Sequence, residues 1–276
     1  MNVRANGISA FIMVFNEARS ISACLDALAW IDEIVLLDSF STDDSCAIAR
    51  RYPNVRIVQR AFTDFGDQRQ FGLRLPYSNP WVLVIDADEI VSPELAAEIR
   101  STVAAPESHD CDLYYLRRQT WFAGKALRHN LPATFWIPRL VRPERVRVEG
   151  RVHERIRATG RTGRLRAYLD HHQFDKGVDH WFGRRQRYAQ LEAAAIEAGE
   201  LRSNPIADLL SGDTLRRRAV VKRLFQALPM RWLAFWLYNV VICGAWRDGM
   251  AGLRYVGLEA ESHRRAEVMK MGPSSA

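Results

Sequence analysis

The run Val82-Leu83-Val84-Ile85 closes on Asp86-Ala87-Asp88-Glu89, four consecutive β-formers followed by three acids in four positions. A strand that is apolar at every position has to be buried on both faces, and in open α/β sheets ligands bind beyond the carboxyl ends of the strands. Asp86 and Asp88, two apart, can grip one divalent ion together, or one can take the ion and the other a sugar hydroxyl. An oxygen-only set of this kind suits Mg²⁺ or Mn²⁺ holding a diphosphate. The same acids also read as a strand-ending turn before a helix, because Ser92-Pro93-Glu94 is a good helix start.

The order of segments before this run favours the first reading. Ile8 to Phe15 is strand-like, and Asn16-Glu17 precedes a helical stretch from about Arg19 to Trp30. Glu33 to Leu37 is a second buried strand ending at Asp38, and Ser39 to Asp43 supplies turn and capping residues for a helix through about Tyr52. A third strand is predicted over Val55 to Gln59, a third helix over Gly66 to Leu75, and the fourth strand over Trp81 to Ile85. Alternating β and α elements predict an α/β fold, a parallel sheet with helices on both faces. Asn16, Asp38, Asp43, Asp86 and Asp88 then fall at or just after strand C-termini, in one crevice.

Four motifs in this order, Phe15-Asn16-Glu17, Asp38-Ser39-Phe40-Ser41-Thr42-Asp43, Phe65 to Leu73 with Gln68-Arg69-Gln70, and Asp86-Ala87-Asp88-Glu89, resemble the family 2 glycosyltransferases of GT-A fold. The resemblance is densest over residues 8 to 100, thins out towards residue 200, and points to the branch that adds glucose or heptose to the lipopolysaccharide core. It implies that Phe15, Asn16 and Glu17 lie against a nucleotide base and that Asp38 bonds the uracil or ribose. It also implies that Gln68 and Arg69 sit near base and diphosphate, with Asp43 in the same nucleotide site, Asp86 on the ribose and Asp88 on the metal. Phe40 stands where the family usually has Gly, and Gln70 where it usually has Asn, departures that bear on nucleotide preference. Asp38 also reads as a helix-capping acid.

Trp121-Phe122-Ala123-Gly124-Lys125 followed by Arg128-His129 resembles the family's glycine-containing loop beside the donor sugar, and also reads as a plain hairpin turn. Arg139, before Leu140, matches a family Arg at the diphosphate; relatives often carry Pro-Asp ahead of it, where this chain has Thr134-Phe135. The family's Val-His-Glu corresponds to Val152-His153-Glu154. An inverting transfer needs a carboxylate to take the acceptor proton while a metal and a cation stabilise the leaving diphosphate. Glu154 is the candidate base and His153 its neighbour in orienting acceptor or diphosphate; Glu154 equally reads as a strand residue paired with Arg151 or Arg155. His171, at the end of an apolar pattern from Leu165, resembles a late metal ligand of GT-A enzymes, or is a strand-end histidine. Most of the arginines between Arg139 and Arg166 read as solvated strand faces.

The chain has 276 residues, 48% of them hydrophobic, enough for one large domain with an appendage. Residues 1–200 are expected to form the GT-A domain, with 1–105 the nucleotide-sugar half and 106–200 the acceptor half, and residues 201–276 a basic, aromatic-rich helical tail. The formal charge of +7 lies in the tail: residues 214–276 hold eleven basic and four acidic side chains. Between Arg231 and Arg247 only 15 residues are free of charge, short of the ~20 a spanning helix needs. Trp-rich apolar segments flanked by cations fit helices lying in a membrane interface; a helical pair packed over the sheet is the other reading. Interleaved aromatics and long aliphatics at helical spacing argue against nucleic acid. The four scattered cysteines have no metal-ligand spacing and fit a reduced compartment. No signal peptide is expected, since residues 1–7 are polar.

The expectation is an inverting glycosyltransferase (EC 2.4) that moves a hexose or heptose from a nucleoside-diphosphate sugar, UDP favoured, to a lipid-linked or lipopolysaccharide-core saccharide. It would need a divalent metal and work in the cytoplasm, peripherally associated with the inner face of the cytoplasmic membrane. The competing readings are a non-catalytic nucleotide-sugar-binding or membrane-tethering protein and a protein or peptide glycosyltransferase. A dinucleotide-dependent oxidoreductase or a nucleotidylyltransferase would want a glycine-rich phosphate loop after the first strand, and Phe15 to Arg19 contains no Gly.

Overall fold

The computed structural model describes residues 7–130, 134–150, 154–197, 225 and 230–271. The chain divides into two compact units, one of residues 1–126 and 132–176, the other of 127–131 and 177–276.

In the first unit, β1 (Ile8–Val14), β2 (Glu33–Asp38), β3 (Val55–Gln59) and β4 (Trp81–Asp86) alternate with α1 (Ile21–Ala27), α2 (Ser45–Ala49) and α3 (Phe65–Leu73). β5 (Glu89–Val91), α4 (Pro93–Ala104), β6 (Cys111–Phe122), β7 (Lys125–Ala126), β8 (Thr134–Val141), β9 (Val146–Glu149), β10 (Arg155–Ala158) and β11 (Arg161–His171) follow. Among the described residues the main sheet runs β3-β2-β1-β4-β8-β6-β11-β5, with β7 paired to β6. Its first four strands are parallel. β8 then joins the halves antiparallel to both β4 and β6, with Val82 opposite Val141 and Leu83 opposite Leu140.

The apolar strands are buried on both faces, as their unbroken hydrophobicity requires. Ala10, Ile12, Leu36, Leu83 and Ile85 face a core layer with Ile21 and Leu25 of α1, Ala49 of α2, and Leu95 and Ile99 of α4. Phe11, Leu37, Val82 and Val84 face the opposite layer. That second face is covered by Leu73 of α3 together with Val146, Val148 and Ile156, so a helix and a two-stranded ribbon share the role expected of helices alone. α3 can lie close because Gly72 meets the Phe11 ring, where a Cβ would fall 1.9 Å from Cζ.

The helices α2 and α3 stop short of their expected ends at Tyr52 and Leu75. In each case the expected last residue precedes a proline, Pro53 or Pro76, whose ring disfavours the α conformation one residue upstream. α4 begins as expected: the Ser92 hydroxyl accepts from the Leu95 N–H at 3.2 Å and Pro93 occupies the first turn.

The second unit contains α5 (Val178–Glu197), α6 (Arg231–Leu237) and α7 (Gly249–Met271), with a π-helical turn at Tyr238–Ile242 and a 3₁₀ turn at Ala245–Asp248 between the last two. α5 belongs to this second unit together with the C-terminal helices. Trp181, Tyr255 and Val256 are buried, and Arg185 pairs with Glu259, which also accepts from the Tyr255 hydroxyl at 3.0 Å. The short loop 127–130 belongs here because Asp248 captures it. One Asp248 oxygen accepts from the Arg128 and His129 N–H groups, each at 2.8 Å, and the other lies 2.8 Å from His129 Nδ1. Among the described residues no helix is long and apolar enough to cross a membrane.

Candidate active site

The parallel half delivers its polar residues to one edge. After β1, Asn16 turns the chain with φ of 55°, and after β2 Phe40 does the same at 61°. The two loops are stitched together: the Asn16 N–H donates to Ser41 Oγ at 2.9 Å, and the Thr42 N–H returns a bond to Asn16 Oδ1 at 2.8 Å. Asp43 accepts from the Ala18 N–H at 3.0 Å and from Ser45, and the Glu17 N–H donates to Ser45 Oγ at 2.7 Å. Asp43 and Asn16 therefore act as clips that shape the crevice wall. The Glu17 carboxylate itself pairs with Lys176 at 2.5 Å. Phe15 and Phe40 both remain largely exposed at this edge.

Asp38, at the end of β2, is fully buried and accepts from the Ser41 N–H and from Gln59 Nε2, each at 3.0 Å. Burial raises its pKa, but those hydrogen bonds outweigh it and hold the carboxyl below its ordinary value. Gln68 links this loop to the next wall, donating to Ser39 Oγ at 3.0 Å while its carbonyl accepts from Arg60 at 2.8 Å.

At the centre lies a partly buried ion network. Asp86 is gripped by Arg139 and by Arg69, the latter at 3.3 Å, and Arg139 reaches on to Glu89 at 2.6 Å. Arg118 adds a second cation to Glu89 at 3.4 Å, and Glu89 accepts from the Asp86 N–H at 3.0 Å. Arg69 also donates to Glu154 Oε1 from Nε at 3.2 Å and Nη2 at 2.9 Å, while its Nη1, buried, has no partner. Burial pushes the Asp86 carboxyl up; Arg139 and Arg69 outweigh that and hold it well below the usual carboxylate range.

Glu154 reaches Arg69 because the ribbon β9–β10 is fastened to α3. The Val148 N–H donates to Gln70 Oε1 at 2.8 Å, which gives Gln70 a positioning role. Gly66 lies so close to the Gly150 carbonyl that a Cβ would come within 2.1 Å of its oxygen.

Asp88 stands beside a different partner. β5 pairs antiparallel with the end of β11, Glu89 opposite His171, and the His172 N–H donates to the Asp88 carbonyl at 2.8 Å. This register brings the Asp88 carboxylate to 3.4 Å from His171 Nε2. Burial and Arg118 push the His171 imidazole below its ordinary pKa, against the pull of Asp88, so it is available as a neutral ligand. Among the described residues no group of three or more His, Cys, Asp or Glu is arranged to hold a metal. A carboxylate and a neutral imidazole fit an ion that takes its remaining ligands from substrate phosphates and water.

Phe15, Asn16, Glu17, Asp38, Asp43, Gln68, Arg69, Asp86, Asp88, Arg139, Glu154 and His171 all lie in the first unit, and His153 falls outside the described residues. Trp121 to Lys125 forms a hairpin, with Phe122 opposite Lys125 and positive φ at Ala123 and Gly124. Sequence reasoning missed three charged partners. Glu89 was legible as the third acid of its run, but Arg118 and Lys176 carry no local signal and join only through tertiary pairing.

The profile of glycosyl transferase family 2 matches residues 9–172. The chain belongs to that family; its first four strands are parallel and acids follow β2 and β4. It is similar, at 27% identity over 259 residues, to the lipopolysaccharide core biosynthesis glycosyltransferase LpsC of Rhizobium meliloti, a match covering 89% of this chain and 84% of that protein. An uncharacterized glycosyltransferase of Rickettsia felis is 39% identical over 108 residues, which span 39% of this chain and 36% of that one. Among solved structures, residues 1–349 of S. aureus TarS align with a TM-score of 0.45 and 16% identity over 98% of this chain and 93% of that chain.

Proposed function

We propose that this glycosyltransferase transfers a hexose or heptose, with inversion, from a nucleoside-diphosphate sugar to a saccharide acceptor of the lipopolysaccharide core or another lipid-linked saccharide. The observation that carries the reading is the meeting of Arg69 with both Asp86 and Glu154 in one partly buried network beside Asp88. UDP is the favoured nucleotide, with Asp38 and the loop Phe15 to Glu17 on the base and Asp86 on the ribose. His153 is proposed to orient the acceptor or diphosphate. The acceptor would be met at the inner face of the cytoplasmic membrane, with residues 201–276 as a basic tail to the GT-A domain.

Asp88 and His171 would hold a Mg²⁺ or Mn²⁺ ion, which when bound neutralises charge building on the diphosphate. Glu154 takes the proton of the acceptor hydroxyl as its oxygen bonds the anomeric carbon, and the bond from that carbon to the diphosphate oxygen breaks, its electron pair leaving with the nucleoside diphosphate. Arg69 donates to Glu154 from two nitrogens. A diphosphate offers Arg69 a second anion matched to its fork, and its unpartnered Nη1 is the free donor for it.

Calorimetry with UDP, GDP, ADP and CMP, each with Mn²⁺ or with chelator, tests the reading. Metal-dependent UDP binding that is lost in Asp88→Asn supports it. Absence of binding to every nucleotide refutes it, and product formation unchanged in Asp88→Asn refutes the metal assignment.

A further inference from the structure

The stretch joining α6 to α7 departs from the rule that large apolar side chains on a soluble surface are scattered singly. Val241 is 66% exposed, Ile242 69%, Trp246 58% and Met250 63%, and Leu237 and Tyr238 are exposed beside them. They follow one another along the π-helical and 3₁₀ turns and the start of α7. These turns hold their shape with positive φ at Gly244 and Gly249.

Within the stretch itself the exposed charges have one sign. Between residues 231 and 258 the only acid is Asp248, which is 3% exposed and occupied by the loop 127–130. Arg247 and Arg254 are exposed, and the Arg247 guanidinium lies 5.4 Å from the Trp246 ring centroid. An apolar tip with aromatic residues at its border and the exposed cations Arg247 and Arg254 along it matches the layering of a phospholipid interface, acyl chains below and phosphates above.

We propose that this tip seats in the interface of an anionic phospholipid surface, with Val241, Ile242 and Met250 in the acyl boundary, Trp246 at headgroup level and Arg247 and Arg254 on headgroup phosphates. The proposal rests on the reading of a lipid-linked acceptor, to which it gives the mode of attachment. A second copy of the chain fits less well. A two-fold contact would set the patch against itself, and neither copy's stretch offers an exposed acid to answer Arg247 and Arg254 of the other.

The test is co-sedimentation of the full chain with vesicles of phosphatidylethanolamine and phosphatidylglycerol, and with phosphatidylcholine vesicles. The chain is expected to sediment with the anionic vesicles and at least about tenfold more weakly with the zwitterionic ones, given two cations near the surface. The double variant Val241→Asp/Ile242→Asp is expected to lose at least about tenfold in partitioning, and Arg247→Glu/Arg254→Glu to lose the preference for anionic lipid. UDP affinity and helical circular dichroism are measured on the same variants and are expected to stay unchanged, which shows that both units are folded. Partitioning of Val241→Asp/Ile242→Asp equal to the parent chain, or no sedimentation of the parent with either vesicle, overturns the proposal. So does a parent dimer that the same variant converts to monomer without any vesicle binding. Vesicle binding with no nucleotide binding would instead overturn the transferase reading and leave this one standing.

Discussion

Arg69 donates to Glu154 from two of its nitrogens, at 3.2 and 2.9 Å, across 85 positions of sequence. The same guanidinium reaches Asp86 at 3.3 Å, so one side chain from α3 ties a strand-end acid to a residue of the ribbon. Removing either end should have different consequences. Glu154→Gln is expected to keep UDP affinity within about twofold while lowering kcat by at least about 100-fold, the lower range for loss of a general base. Arg69→Gln is expected to weaken nucleotide binding by about tenfold or more, with Arg69→Lys in between because an ammonium cannot reproduce the fork. Steady-state kinetics alongside calorimetry separates the two; equal losses of binding in both variants would contradict the assignment.

Phe40 holds a left-handed backbone conformation while 53% of its surface is exposed. That conformation costs a non-glycine residue about 1–2 kcal/mol, of which glycine's greater unfolded entropy recovers only part. Phe40→Gly is therefore expected to raise stability by up to about 1 kcal/mol. It is also expected to weaken nucleotide binding, by removing an aromatic face beside Asp38. Thermal melting and UDP titration on one sample should move in opposite directions; unchanged UDP affinity would show that Phe40 does not meet the nucleotide.

Asp38 has a folded pKa below its ordinary value, so its contribution to stability is complete above the unfolded carboxylate value of about 3.9 and is lost as the pH falls through the lower folded value. Asp38→Asn keeps only one acceptor for two donors, Ser41 N–H and Gln59 Nε2. The variant is expected to be about 1–3 kcal/mol less stable at pH 7, with the gap closing below about pH 4. Urea denaturation at a series of pH values reads this directly; a constant gap would mean the carboxylate charge is not what the loop depends on.

Asp248→Ala would leave the Arg128 and His129 N–H groups without their acceptor. A loss of about 1–3 kcal/mol is expected, measured as a lower urea midpoint with an unchanged denaturant slope. His129→Ala, which leaves both backbone bonds in place, should lose less.

Much of this arrangement was readable in the sequence because it is local. Unbroken apolar runs mark β1, β2 and β4, and position alone puts Asp38, Asp86 and Asp88 at or just after strand C-termini, where the structure has them. Helix ends were misjudged where periodicity continued into residues preceding Pro53 and Pro76. The pairing of Glu154 with Arg69, 85 residues earlier, follows from how the ribbon packs on α3, and no spacing rule encodes it. The same holds for Asp88 and His171, which meet through the register of β5 on β11. The tail's cations and tryptophans were visible as composition, but the concentration of exposed apolar groups at the turns between α6 and α7 needed coordinates.

The hold of Asp248 on the loop 127–130 sets an order of events during synthesis. Arg128 and Asp248 are 120 residues apart, so at ribosomal rates the loop leaves the ribosome about 6–24 s before its acceptor is made. Strands on both sides of the loop can pair during that interval, while the Arg128 and His129 amides wait on water. The last turn before α7 is thus the clasp that ends the wait, and a stalled or shortened chain that lacks it would carry this loop unfastened.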